Sequence, residues 1–210
     1  MSIAVEPEKL VLGPEHNGIR MTPEEFDAIE EYDELFRYEL IDGVLVVNPF
    51  ELPAGRRPND ELGHWLLTYR EHEPRGSALD DTLFEEYIRT PTSRRRADRV
   101  IWVGLGRCPN PKTDVPNIVV EFVSAGRRNW KRDYLEKRDE YIAIGVDEYW
   151  VIDRFQRTLT VYHRTKEGGS TEHVVHEQDA YRPPLLPGFE LPLGRLLSIA
   201  DRWADAEQAE

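Results

Sequence analysis

The run Ile118-Val119-Val120-Glu121-Phe122-Val123 constrains this chain more than any other stretch. Five of its six side chains are apolar and they do not alternate with polar ones. That pattern predicts a strand covered on both faces, as in the middle of an α/β sheet, rather than a strand with one wet side. Glu121 interrupts the run where a sixth apolar residue would be the easy choice. An ionised carboxylate in such a place is costly without a partner, so Glu121 is either a functional acid or a residue that lies at an edge or pairs with an arginine.

The rest of the chain supplies what a two-faced strand needs. Thr22 followed by Pro23, Glu24 and Glu25 predicts a helix start running to about Tyr32, with a hydroxyl cap, a first-turn proline and carboxylates at the positive end of the dipole. Tyr38 to Val47 alternates into a hairpin about Asp42-Gly43. A loop is expected from Pro49 to Pro58 and a helix from Asn59 to Glu71 through Leu62, Trp65, Leu66 and Tyr69. Leu83 to Ile88 and Ala97 to Val103 suit strands, and a basic helix is predicted from about Arg127 to Ile144, stopped by Gly145. Glu148 to Asp153 and Leu159 to His163 read as two more strands, and Arg182 to Leu197 as an extended segment with a short helix. The expectation is an α/β fold: a single domain with one mixed β-sheet flanked by helices over residues 21–200. A loosely ordered arm, 1–20, precedes it and an acidic tail, 201–210, follows.

Composition narrows the class. The 210 residues include 40 acidic and 27 basic side chains, a formal charge of −13, which argues against a nucleic-acid partner when taken whole. The acid is uneven, however. Residues 1–42 carry 12 acidic and 3 basic side chains and residues 201–210 carry 4 and 1, leaving the remainder nearly neutral. Residues 90–140 hold 12 basic against 7 acidic side chains, with Arg94, Arg95, Arg96 and Arg99 in one cluster and Arg127, Arg128, Lys131 and Arg132 in another. A locally basic surface for phosphates is therefore expected there. A single cysteine, Cys108, excludes an internal disulfide and a cysteine-built zinc site. No apolar run approaches a membrane span, and the predicted location is the cytoplasm.

Asp98, opening the Val100-Ile101-Trp102-Val103 strand, is the second candidate acid, against a plain strand-opening polar residue. Adjacent strands carrying one carboxylate each can turn their oxygens toward one point, which suits a hard cation such as Mg²⁺. Glu39, in the first strand, is a candidate third ligand or supporting group, against a solvated strand residue. Asp133, Lys137 and Tyr141 recur at intervals of four and share one helical face. If that face looks at Glu121, Lys137 can orient or deprotonate an attacking water; the bland reading is an exposed Asp133–Lys137 pair. His173 and His176 suit a solvated turn better than a metal, and His64 a partly buried structural histidine.

These residues carry a resemblance. Tyr38-Glu39-Leu40-Ile41-Asp42-Gly43, Ala97-Asp98, Val120-Glu121-Phe122-Val123-Ser124, Asp133 with Lys137 and Tyr141, Gly145 to Asp153, and Leu186-Pro187-Gly188-Phe189 are together similar to the Uma2 family of putative restriction endonucleases. That family lies within the PD-(D/E)XK nuclease-like superfamily. The resemblance covers roughly Met21 to Leu197 and implies a restriction-endonuclease-like fold. It implies Asp98 and Glu121 as ligands of Mg²⁺, with Mn²⁺ as a substitute, Lys137 as catalytic lysine and Glu39 as a supporting acid. Two positions depart from the superfamily pattern: Ala97 replaces a proline, and Val123 stands where the lysine of Glu-x-Lys would be. The expectation is a Mg²⁺-dependent endonuclease acting on DNA through Arg94, Arg95, Arg96, Arg127, Arg128 and Lys131, with a homodimer expected from the superfamily. The alternative is a non-catalytic descendant that keeps the fold as an interaction module.

Overall fold

The computed structural model describes residues 11–49, 53–124 and 132–208. They group into two compact units, Met1–Phe50 with Arg89–Arg95, and Glu51–Ile88 with Arg96–Glu210.

The first unit is built on a hairpin. Strands β1 (Phe36–Ile41) and β2 (Val44–Pro49) pair antiparallel through a two-residue turn. Its central residues both have positive φ, +47° at Asp42 and +74° at Gly43, so the turn has the twist that a tight hairpin needs. The turn is tied down as well: the Thr92 hydroxyl donates to Asp42 Oδ1 at 3.0 Å and the Gly43 amide to the Thr92 carbonyl at 3.1 Å. Leu12, Tyr38 and Leu45 form a small core, and the Tyr38 hydroxyl donates to the Leu12 carbonyl at 3.0 Å. Helix α1 starts as expected, with Thr22 and Glu25 in a reciprocal capping box. It spans only Pro23–Asp27, however, and not the stretch to Tyr32. Tertiary contacts overrule the local pattern: Asp27 is held by Arg94, and Glu31–Tyr32 pairs in parallel with Val11–Leu12.

The second unit carries the sheet. Its strands are β3 (Leu79–Arg89), β4 (Arg94–Val103), β5 (Ile118–Phe122), β6 (Glu148–Asp153), β7 (Thr158–Arg164) and β8 (Ser170–His176). The order is β8-β7-β6-β5-β4, with β3 also paired to β4. β5 and β6 run parallel while β4–β5, β6–β7 and β7–β8 are antiparallel, which makes the sheet mixed, as the sequence predicts. Between the parallel strands the chain passes through a five-residue π-helical turn, Arg132–Glu136, and helix α3 (Lys137–Ile144). Gly145 ends it at φ +104°.

Every residue of β5 is buried, which fulfils the two-faced reading. One face of the sheet, with Ile118, Val120, Trp150 and Ile152, packs on α2 (Pro53–His72) and α4 (Leu193–Gln208). The other face, with Val119, Val123, Tyr149 and Val151, packs under Tyr134 and Tyr141. Period two places Glu121 on this second face.

Three elements differ from the pattern reading. α2 begins at Pro53, inside the expected loop, because Ala54, Pro58, Leu62, Leu66 and Tyr69 make one buried stripe that outweighs the hydrogen bond lost at Pro58. The stretch holding His173 and His176 is an edge strand, not a turn: β8 pairs with β7 over seven residues. α4 is a sixteen-residue helix that runs through residue 201, and Asp201 binds Arg157 at 2.8 Å rather than belonging to a free tail. His64 is exposed on α2, not partly buried. Among the described residues no helix is long and apolar enough to cross a membrane.

A buried guanidinium joins α2 to β4. Arg99, 5% exposed, donates from Nε to Asn59 Oδ1 at 2.7 Å, from Nη2 to the Asn59 carbonyl at 2.9 Å and from Nη1 to Thr82 Oγ1 at 3.1 Å. Burial pulls its pKa down to about 10, against the opposing pull of Asp60 and Asp98. Gly63 leaves the notch for this head: a Cβ there would lie 2.6 Å from Nη2 and 2.8 Å from Cζ. An ordinary helical Gly→Ala change gains about 1 kcal/mol. Here Arg99 cannot give way without surrendering its three bonds, so Gly63→Ala should instead lower stability by about 1–3 kcal/mol. Urea unfolding midpoints of the variant and the wild type check the sign.

Candidate active site

The β4–β5 ladder pairs Ile101 with Ile118, Val100 with Val119 and Arg99 with Val120. The next step of that register brings Asp98 to Glu121. There the ladder gives way to a side chain: the Phe122 amide donates to Asp98 Oδ2 at 2.7 Å. Asn59 of α2 donates to the Asp98 carbonyl at 2.7 Å and so fixes the same residue from the helix side. Asp98 and Glu121 are 7% and 3% exposed.

Above Glu121 lies the inner face of α3. Lys137 Nζ is 2.7 Å from Glu121 Oε2, and the Tyr141 hydroxyl donates to Oε1 at 3.2 Å. Lys137 is only 2% exposed, so it does not lie on a solvated face as the exposed-pair reading has it. The lysine that Val123 does not supply within the strand arrives instead from the next helix. Tyr141 is held in turn by Tyr149, edge to face at 5.2 Å between ring centroids. Glu121 and Lys137 thus meet in a place nearly closed to water, with Asp98 on the neighbouring strand, and each acid is fixed by hydrogen bonds. Such an arrangement can bind a cation or a phosphate oxygen and restrain the groups that would handle a proton.

Comparison with known proteins bears on the family and the fold. A family model, Uma2, described as a putative restriction endonuclease, matches residues 23–194. The chain belongs to the Uma2 family. Among solved structures, the crystal structure of a putative nuclease belonging to DUF820 from Anabaena variabilis superposes with a TM-score of 0.66 at 17% identity, covering 86% of this chain and 99% of that one. At that identity the likeness speaks for the fold, a nuclease-like mixed sheet flanked by helices. No curated protein matches the sequence.

The other residues expected to serve a Uma2 nuclease are Glu39 and two groups of basic side chains. Glu39 is buried in the first unit, opposite Val46 in the hairpin register. Among the described residues, no three His, Cys, Asp or Glu side chains group tightly enough to hold a metal by themselves. Arg94 to Arg96, expected to face phosphates, are buried or half-buried. Arg94 spends its guanidinium on Asp27 and on the Thr90 and Ser93 carbonyls, and Arg95 is 1% exposed. Arg96 is half-buried, paired with Glu85 at 2.8 Å and set over the Tyr87 ring. Arg94 and Arg96 thus bind within the protein, and Arg95 is buried. Arg127, Arg128 and Lys131 lie outside the described residues. Beside the site, Phe122, Val123, Ile152 and Arg154 join residues of α2 and α4 around a small cleft.

Burying a charge pair seldom stabilises a fold, but halving one is expensive. Lys137→Met should cost about 3–5 kcal/mol by stranding Glu121. Adding Glu121→Gln to Lys137→Met should bring stability back to within about 1 kcal/mol of wild type or above it. Equilibrium denaturation of the two single variants and the double variant measures this.

Proposed function

We propose that the chain is a metal-dependent endonuclease that hydrolyses phosphodiester bonds in DNA, with Asp98 and Glu121 as the cation-binding carboxylates and Lys137 as the assisting cation. The observation that carries this reading is Lys137 at 2.7 Å from Glu121, buried and facing the sheet. A lysine on a helix would ordinarily spend its charge in water.

The donor set suits the cation. Two carboxylates supply hard oxygens, each with more than one lone pair. With only two protein ligands, Mg²⁺ would complete its shell with water and phosphate oxygens, as it commonly does. Bound there, the ion supplies a polarised phosphoryl oxygen and a water of lowered pKa. The chain's own groups do the rest. Asp98, pinned by the Phe122 amide and through Asn59, keeps one carboxylate in place. Lys137 turns an N–H toward the attacking water or a non-bridging oxygen and offsets the negative charge that grows there. Tyr141 holds the Glu121 carboxylate so that its oxygens do not rotate away.

The burial of Arg94 and Arg95 favours the other reading, a fold that no longer cuts, because it removes the most visible phosphate contacts. One assay separates the two. Supercoiled and single-stranded DNA are incubated with the protein in Mg²⁺, Mn²⁺ or EDTA, alongside Asp98→Ala, Glu121→Ala and Lys137→Met variants confirmed as folded. Nicking that needs the metal and falls at least a hundredfold in Asp98→Ala is the expected outcome. Cleavage equal in wild type and all three variants, or in EDTA, would sink the nuclease reading.

A further inference from the structure

The string Glu148-Tyr149-Trp150-Val151-Ile152-Asp153 ends in an acid that the site above leaves unused. Asp153 is 1% exposed at the end of β6. In the β5–β6 register Glu121 lies opposite Val151, so Asp153, two residues on, shares the sheet face of Glu121. Its Oδ1 accepts from the Phe155 amide at 2.8 Å and the Gln156 amide at 2.9 Å, which anchors the carboxylate to its own turn. Its Oδ2 accepts from the Tyr134 hydroxyl at 3.3 Å.

Tyr134 sits within the π-helical turn that immediately precedes Lys137. The inward residues of this helix are therefore Tyr134, Lys137 and Tyr141, and each lands on an acid of one sheet face: Asp153, Glu121 and Glu121 again. A π turn holds one residue more than an α turn and is rare because its packing is poorer, so something must hold it. Relaxing it to α geometry would rotate the residues on its two sides against each other by about 100° per residue. Tyr141 fixes the far side of Lys137; on the near side the Tyr134 hydroxyl meets Asp153 together with the Thr158 and Thr160 hydroxyls.

We infer that Tyr134 and Asp153 are positioning residues, whose hydrogen bond holds the π turn in register and so keeps Lys137 seated on Glu121. The inference rests on Lys137 being the lysine of the proposed site. Burial, and next the Asp153 charge, push the Tyr134 phenol up, so it remains a donor across the neutral range. The competing view is that Tyr134, 7% exposed in the α3-side core, is an aromatic filler whose hydroxyl is incidental.

Tyr134→Phe keeps the ring and removes only the hydroxyl. Lysine acylation with an amine-reactive ester, followed by mass spectrometry, reads Lys137 directly; Lys112 and Lys166, both exposed, are internal controls. The expected result is at least a fivefold faster labelling of Lys137 in Tyr134→Phe, with Lys112 and Lys166 unchanged. DNA cleavage should lose at least tenfold in kcat with KM within twofold. Asp153→Asn, which keeps an oxygen for the turn amides and a polar group facing the phenol, should label as wild type does. Unchanged Lys137 labelling in Tyr134→Phe, or equal acceleration at all three lysines, would overturn the inference. The labelling needs no nuclease activity: a protein that cuts nothing yet exposes Lys137 in Tyr134→Phe refutes the proposed function and leaves the positioning contact standing.

Discussion

A lysine and a glutamate almost sealed from water, 2.7 Å apart, set the terms on which the rest of this protein is built. Each charge has given up its hydration, and the other goes far to restore the loss. The sheet must hold Glu121 still, which is why β5 lies between β4 and β6 and is buried along its whole length. The helix must hold Lys137 still, which falls to the tyrosines at 134 and 141. A hydrophobic pair of the same size would pack with less difficulty, so the arrangement makes sense as chemistry kept at the expense of stability.

Much of this was legible in the sequence where local and global preferences agree. Asp42-Gly43 predicts its hairpin because only residues tolerant of positive φ fit that turn. The apolar run around Glu121 predicts its strand, and the four-residue spacing of Lys137 and Tyr141 predicts a shared face, both of which the structure contains. The reading fails where a distant contact decides. Nothing near Asp27 announces that Arg94 will claim it and that the chain beyond will pair with Val11–Leu12. Nothing in Pro53 to Pro58 shows that burial of Ala54 and Pro58 will pull the helix forward over a proline. Asp153 was visible within a motif, yet its partner lies nineteen residues earlier, across a helix and a strand.

The arginines teach a related lesson about charge counts. Four of them within residues 94–99 look like a surface made for phosphates. Instead Arg94 binds an aspartate and two carbonyls, and Arg99 sits in a notch left by Gly63. A guanidinium has five donors in a fixed fork, so it can join three segments at once, and an interior short of partners will use it that way. Charge density along a sequence therefore measures demand for cations without saying whether solvent, ligand or backbone makes it.

Asp98 gives the ladder at Phe122 its last acceptor, and this has a consequence for how such a protein can change over generations. In the proposed nuclease the residue serves two masters: one is a sheet end, which needs an oxygen, and the other is a cation, which needs a negative charge. Asparagine satisfies the first and fails the second. A lineage that stops cutting nucleic acid is thus released from aspartate at this position without being released from an oxygen acceptor. Asparagine would record lost chemistry in an intact fold, whereas alanine would also loosen the strand end on which the fold relies.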